Sequence, residues 1–260
     1  MLIPFRKMHA QGNDFVILSH WDKEPPMVDL PRLARDICDR HFGIGADGLV
    51  LILPNAKQDA TMVIFNSDGS RAEMCGSALR CVASILMQDT GKHELQIATD
   101  SGIKNATQQD GEISVNLGKA RIMHEDLVVE EFSGDLVDIG NLHFVIFAKD
   151  LTDDPHLRFG AQLEHHPAFP TGVNVHFAQI RTMSEIEIKI WENAVGPTLA
   201  CGTGAASVVF SGFCKGLLGQ QVDVLVPGGR IKIWIKKSDD SLLLIGPVTE
   251  VFSGEFSWKI

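Results

Sequence analysis

This chain repeats itself, and a repeat dictates architecture before any single motif does. GNDFVIL starts at Gly12 and GNLHFVIF at Gly140, 128 residues later. Cys75 and Cys201 are 126 residues apart, and each is followed by glycine and then by small or apolar residues. Gly102 and Gly228, each opening a hairpin-like stretch, are again 126 apart. Nine residues before each cysteine a polar residue closes a strand-like run: Asn66 after MVIF, Glu192 after IEIKIW. Three landmarks in one order at one spacing predict two copies of one fold. The first half is read as residues 1–118 and the second as 119–248, with a linker near Gly118–Asp126. The last segment, 249–260, is read as returning to complete the first half.

Within each half, short alternating runs such as ISVNLG, EIEIKIW, VDVLVP and RIKIWIK predict strands. Helical spacing is confined to LPRLARDICDRHF, with Pro31 near its start, and to GSALRCVASILMQDTG and GTGAASVVFSGFCKG. The last two are apolar nearly all round, so each is expected at the centre of its half. The expected fold is mixed α/β (α+β): two pseudo-symmetric halves, each a barrel-like sheet around a central helix, with an active site in a cleft between them.

Composition narrows the function. A net charge of −10 and the absence of a basic run longer than Lys236-Lys237 argue against nucleic acid. No apolar stretch approaches the roughly 20 residues of a membrane span, and the N-terminus lacks a signal-peptide core. A cytoplasmic location without membrane contact is the expectation. Five cysteines, an odd and sparse count, do not make a disulfide framework. No C-x-x-C or H-x-x-x-H pair suggests a metal, so none is expected.

Cys75 and Cys201 each stand where a predicted central helix begins. Unpaired amides in a first helical turn carry partial positive charge. They favour a thiolate and bind an anion such as a carboxylate. Gly76 and Gly202 let backbone approach a ligand closely. Two thiols on opposite sides of one carbon could remove a proton from one face and deliver one to the other. Such thiols could also close into a disulfide that inactivates the protein. By contrast Cys38, Cys81 and Cys214 are expected to be small buried hydrophobes.

The motifs GNDFVIL, GIGADG (43–48), FNSDGSRAEMCG (65–76), GNLHFV, PTGVNVHF and LACGTGA, in this order, resemble the diaminopimelate epimerase family over essentially the whole chain. The resemblance implies a cofactor-independent amino-acid epimerase acting on a free amino acid. It implies Cys75 and Cys201 as the acid/base pair, assisted by His143 and Glu192. Asn13, Asn66, Asn141 and Asn174 fall where the family holds substrate, as does position 193. Gly76, Ser77, Gly202 and Thr203 would offer amides to the α-carboxylate. A homodimer is what relatives lead one to expect, although no interface is legible here.

Three departures stand out. Ser77-Ala78 replaces the family's Asn-Gly after the first cysteine, and Leu142 replaces proline in Gly-Asn-Pro-His. Asn193-Ala194 replaces the family's Arg-Gly, where the arginine pairs with the far carboxylate of diaminopimelate. Asparagine cannot supply that charged fork. The readings left open are a diaminopimelate epimerase, a racemase of another amino acid such as histidine, and an amino-acid-binding protein without catalysis. An isomerase of the same fold acting on a proline derivative or an unsaturated acid is a fourth.

Overall fold

The computed structural model describes residues 1–20, 22, 28–109 and 111–259. The chain divides into two compact units, Met1–Val115 with Pro247–Ile260, and Asn116–Gly246.

The first unit opens with the antiparallel pair β1 (Leu2–Ala10) and β2 (Asn13–Ser19). Helix α1 (Leu30–Cys38) then leads to β3 (Gly48–Leu53), parallel to β2. Strand β4 (Ala60–Asn66) returns antiparallel to β3, and the two-residue β5 (Arg71–Ala72) caps its end. Helix α2 (Gly76–Thr90) follows. Then come β6 (Glu94–Thr99), parallel to β4, with β7 (Gly102–Gln109) and β8 (Glu112–Gly118) as an antiparallel meander.

The second unit begins with β9 (Arg121–Val129), paired with β10 (Phe132–Asp138). From β10 onward it repeats the first unit, element for element. Strand β11 (Leu142–Phe147) pairs antiparallel with β10, helix α3 (Pro155–Glu164) follows, and β12 (Asn174–Thr182) lies parallel to β11. Next are β13 (Glu185–Glu192), the two-residue β14 (Gly196–Pro197), α4 (Gly202–Cys214), β15 (Gln221–Val226), β16 (Gly229–Ile235) and β17 (Leu242–Gly246). The pairing β13–β15 is parallel, as β4–β6 is. Strand β18 (Thr249–Ser257) runs antiparallel to β1.

Helix α2 contacts β1, β2, β4, β6 and β7, and α4 contacts β10, β11, β12, β16 and β17. Each is therefore a central helix wrapped by strands, which explains its lack of a polar face: all of Gly76–Met87 except Ser84 is buried. The opposite face of the first sheet is covered by α1, whose Leu33, Ala34 and Ile37 pack with Val16, Leu18, Leu49 and Leu51. With helices on both faces, β2 and β3 are continuously apolar rather than alternating.

Between Gly118, the end of β8, and Arg121, the start of β9, the chain passes from one strand to the next, and β9 pairs with β10. Helix α3 was not legible, because PHLRFGAQLE buries only His156, Gly160, Leu163 and Glu164. Gly160 is required there, since an added Cβ would sit 2.4 Å from the Trp191 ring.

Candidate active site

In the first unit Cys75 is the N-cap of α2, with extended dihedrals (φ −143°, ψ 122°) and no side-chain cap. The first helical bond runs from Leu79 N–H to the Cys75 carbonyl, leaving the amides of Gly76, Ser77 and Ala78 without helical partners. The thiol is half-buried. Asn13 reaches it, Nδ2 donating to Sγ at 3.8 Å. Asn13 is aimed by the tight β1–β2 turn, where Gln11 (φ 52°) and Gly12 (φ 84°) both take left-handed backbone.

Asn66 sits at the exposed end of β4 and is tied into its own turn. Its N–H donates to the Ser70 carbonyl and its Nδ2 to Ser70 Oγ at 2.9 Å. The structure thus engages Asn66 with Ser70, whereas Asn13 engages the thiol.

Arg80 is a feature the sequence reading missed. It is 1% exposed in the second turn of α2. Nη2 donates to Gln11 Oε1 at 2.8 Å, Nη1 reaches the Pro247 carbonyl at 3.5 Å, and Nε has no partner. Burial lowers its pKa to about 10. The signal available was an arginine inside the apolar run ALRCVAS.

In the second unit Cys201 is the N-cap of α4, again extended (φ −130°, ψ 109°) and without a side-chain cap. It is 4% exposed. Helix-start physics alone predicts a depressed thiol pKa, and here the structure overturns that. Burial pushes the Cys201 thiol well above its ordinary range, and the Glu192 carboxylate, which takes a hydrogen bond from the thiol, pushes the same way. The Thr203 hydroxyl and the Gly204 N–H pull back without prevailing. Thr203 Oγ1 lies 3.6 Å from the sulfur. Glu192 is itself held by Thr198, whose hydroxyl donates to Oε1 at 2.6 Å.

His143 is fully buried at the start of β11. Its Nε2 meets Asn141 Oδ1 at 2.9 Å and its Nδ1 meets His176 Nε2 at 2.8 Å. An amide oxygen only accepts, so Nε2 carries the proton, and His176 Nε2–H donates to the bare Nδ1. Burial keeps both rings neutral: His143 is held well below the usual imidazole range and His176 falls to about 3. The His143 and His176 nitrogens and the Cys201 sulfur come within 4.8 Å of one another. His176 is a second residue that sequence reasoning missed. Gly204 makes room for it, because a Cβ there would stand 2.2 Å from the imidazole.

The structure therefore gathers Cys201, His143, Glu192, Asn141 and Thr203. Gly202 lies at the start of α4 with Leu244 packed so closely that a Cβ would meet it at 2.7 Å. Asn174 and Asn193 stand one step back as framework. Asn174 Nδ2 donates to the Leu142 carbonyl, and its Oδ1 accepts from Asn193 N–H at 3.1 Å. Asn193 Nδ2 donates to the Thr171 carbonyl at 3.2 Å, with Oδ1 against Gly172. Next to it Ala194 N–H and Trp191 Nε1 both donate to the buried Glu164 carboxylate at 2.7 Å. A cavity of about 650 Å³ opens here, lined by Glu164, Thr171, Trp191 and Asn193 among others; Cys201 is not part of its wall.

Cys38 and Cys81 are buried as expected, but Cys214 is exposed, because it is the last residue of α4 where the helix leaves the core. No helix among the described residues is long and apolar enough to cross a membrane.

The family model described as diaminopimelate epimerase matches residues 5–123 and 136–251. A protein of Carboxydothermus hydrogenoformans named diaminopimelate epimerase is 39% identical over 273 residues, covering 97% of this chain and 98% of that one. A protein of the same name from Pelotomaculum thermopropionicum is 38% identical over 279 residues, covering 98% and 99%. Among solved structures, a phenazine biosynthesis protein of the PhzF family from Bacillus anthracis shares the fold, with a TM-score of 0.78 at 14% identity over 98% of this chain and 99% of that one.

Proposed function

The chain belongs to the diaminopimelate epimerase family, and on that premise we propose that it inverts one α-carbon of diaminopimelate, converting the LL to the meso form. It is an isomerase. Inversion requires a base that removes the α-proton and an acid that supplies another. We assign these to Cys75 and Cys201, with no cofactor taking part.

The observation that carries the reading is the environment of Cys201. A buried thiol that hydrogen-bonds to Glu192 is kept protonated and is suited to give a proton. Cys75 is more open, accepts from Asn13, and shares a helix with the buried Arg80 cation, which suits it to hold a thiolate. His143 and Glu192 act as positioning groups for Cys201, with Asn141 behind His143. Asn13, Gly76, Ser77, Gly202 and Thr203 are the proposed substrate donors, and Asn66, Asn174 and Asn193 shape the loops that carry them. Amide donors matter because the anion formed on α-deprotonation needs pre-oriented hydrogen bonds.

The test is incubation with LL-diaminopimelate in deuterated water. Meso product carrying deuterium at the inverted α-carbon is expected; no exchange with any amino acid would sink the reading. The same reading makes the protein a cytoplasmic homodimer acting on a free amino acid, which fractionation and sedimentation test.

A second reading has one observation in its favour. Asn193 replaces the family's arginine, and its amide is engaged across to the neighbouring loop at Thr171 and Gly172. That suits a racemase of an amino acid without a far carboxylate, histidine first. A panel of diaminopimelate, histidine, lysine and glutamate decides by the ratio of kcat/KM values.

A further inference from the structure

We propose that His143, His176 and Cys201 form a site for a thiophilic divalent cation, with zinc(II) as the fitting ion, and that the bound ion holds the protein inactive. The inactivation rests on the proposed role of Cys201; the binding does not.

The donor set is soft and of the right kind: two imidazoles and one thiol, all buried. One ligand atom from each lies within 4.8 Å of the other two. Around tetrahedral zinc, with bonds of roughly 2.0–2.3 Å, ligand atoms stand about 3.3–3.7 Å apart. The two imidazole nitrogens, at 2.8 Å, need to open by about half an ångström. The outer partner is already in place. A metal-binding imidazole usually gives its other N–H to an oxygen that fixes ring and tautomer. His143 does so through Nε2 to Asn141 Oδ1, which leaves Nδ1 bare and turned to His176.

His176 completes the argument. It is fully buried, and its Nδ1 has no hydrogen-bond partner. Moving its proton from Nε2 to Nδ1 changes no charge and bares Nε2 for the metal. The Cys201 S–H bond then breaks, sulfur bonds zinc as thiolate, and one proton leaves to solvent for each ion bound. A fourth coordination position stays open for water. Cys201 then has no proton to give. Sequence spacing could not find this site, because its ligands come from β11, β12 and the start of α4.

The experiment titrates metal-free, reduced protein with zinc by calorimetry, and with cobalt(II) as a spectroscopic probe. One ion per chain, release of a proton and a sulfur-to-cobalt charge-transfer band are expected. His176→Gln and Cys201→Ser should each weaken zinc binding at least tenfold, and Cys201→Ser should abolish the band. Cys214→Ala, which removes the exposed thiol, should change neither. Zinc binding undiminished in both site variants, or no charge-transfer band, overturns the proposal. Should His176→Gln fail to fold, Cys201→Ser carries the same test. In the epimerase assay zinc should inhibit, and a chelator should restore activity. Inhibition absent at full zinc occupancy overturns the inactivation and the acid role of Cys201 together, while the calorimetric result stands separately.

Discussion

Arg80 donates through Nη2 to Gln11 Oε1 at 2.8 Å, inside the protein, while the turn holding Gln11 also aims Asn13 at the Cys75 sulfur. A buried cation on the same helix favours the anionic form of that thiol. Arg80→Met should therefore slow alkylation of Cys75 by iodoacetamide at neutral pH several-fold. Peptide mapping of the labelled Cys75 measures it, and an unchanged rate would show that Arg80 only packs. Arg80→Lys should restore part of the reactivity, which a merely structural role does not predict.

Removing either proposed acid/base group should remove most of the catalysis. Cys75→Ala and Cys201→Ala are each expected to lower kcat/KM by roughly 10²–10⁴, with the circular dichroism spectrum intact. Racemisation persisting at full rate in either variant rules out that cysteine.

Gly204 and His176 form a steric pair. A Cβ at 204 would stand 2.2 Å from the imidazole Cε1. Gly204→Ala should cost about 1–3 kcal/mol in urea unfolding. Combining it with His176→Ala should cost less than the sum of the two changes made singly. Strict additivity would mean that the helix start, not the ring, resists the methyl group.

Alkaline pH should find the buried thiols. Cys38 and Cys81 are pushed up to about 12 by burial, from an ordinary value of 9.0. The stability that these neutral thiols contribute is complete below pH 9. It is lost as pH rises from 9 towards 12, by ~1.4 kcal/mol per pH unit for each thiol. Cys38→Ala with Cys81→Ala should flatten the fall in stability between pH 8 and 10.5, even if it lowers stability at pH 8. Parallel profiles for the two proteins would contradict the assignment.

The repeat, the central helices and the two cap cysteines were legible because each leaves a local signature: spacing, apolar runs that end at glycine, and a small residue after the cap. His176 left none. In VNVHF it reads as one more core position, and its meaning depends on β11 and β12 lying parallel with His143 opposite Asn174. Cys201 shows a different limit. Its place at a helix start was readable and pointed to a low pKa, but burial and Glu192 outweigh the first-turn amides, and burial is a property of the folded chain. Asn193 shows a third. Its departure from the family pattern is visible as one letter; that its amide bonds across to Thr171 in the loop before β12 is visible only in space.

The pairing of β1 with β18 joins Leu2 to Ser257 and His9 to Thr249. In a chain made from its N-terminus, every residue of the second unit has been polymerised before the first residue of β18 exists. The later unit in sequence can thus close while the earlier one still has an open sheet edge. Until β18 has been made, β1 offers unpaired backbone on that edge to any other strand. Removing β18 is then a lesion of the first unit.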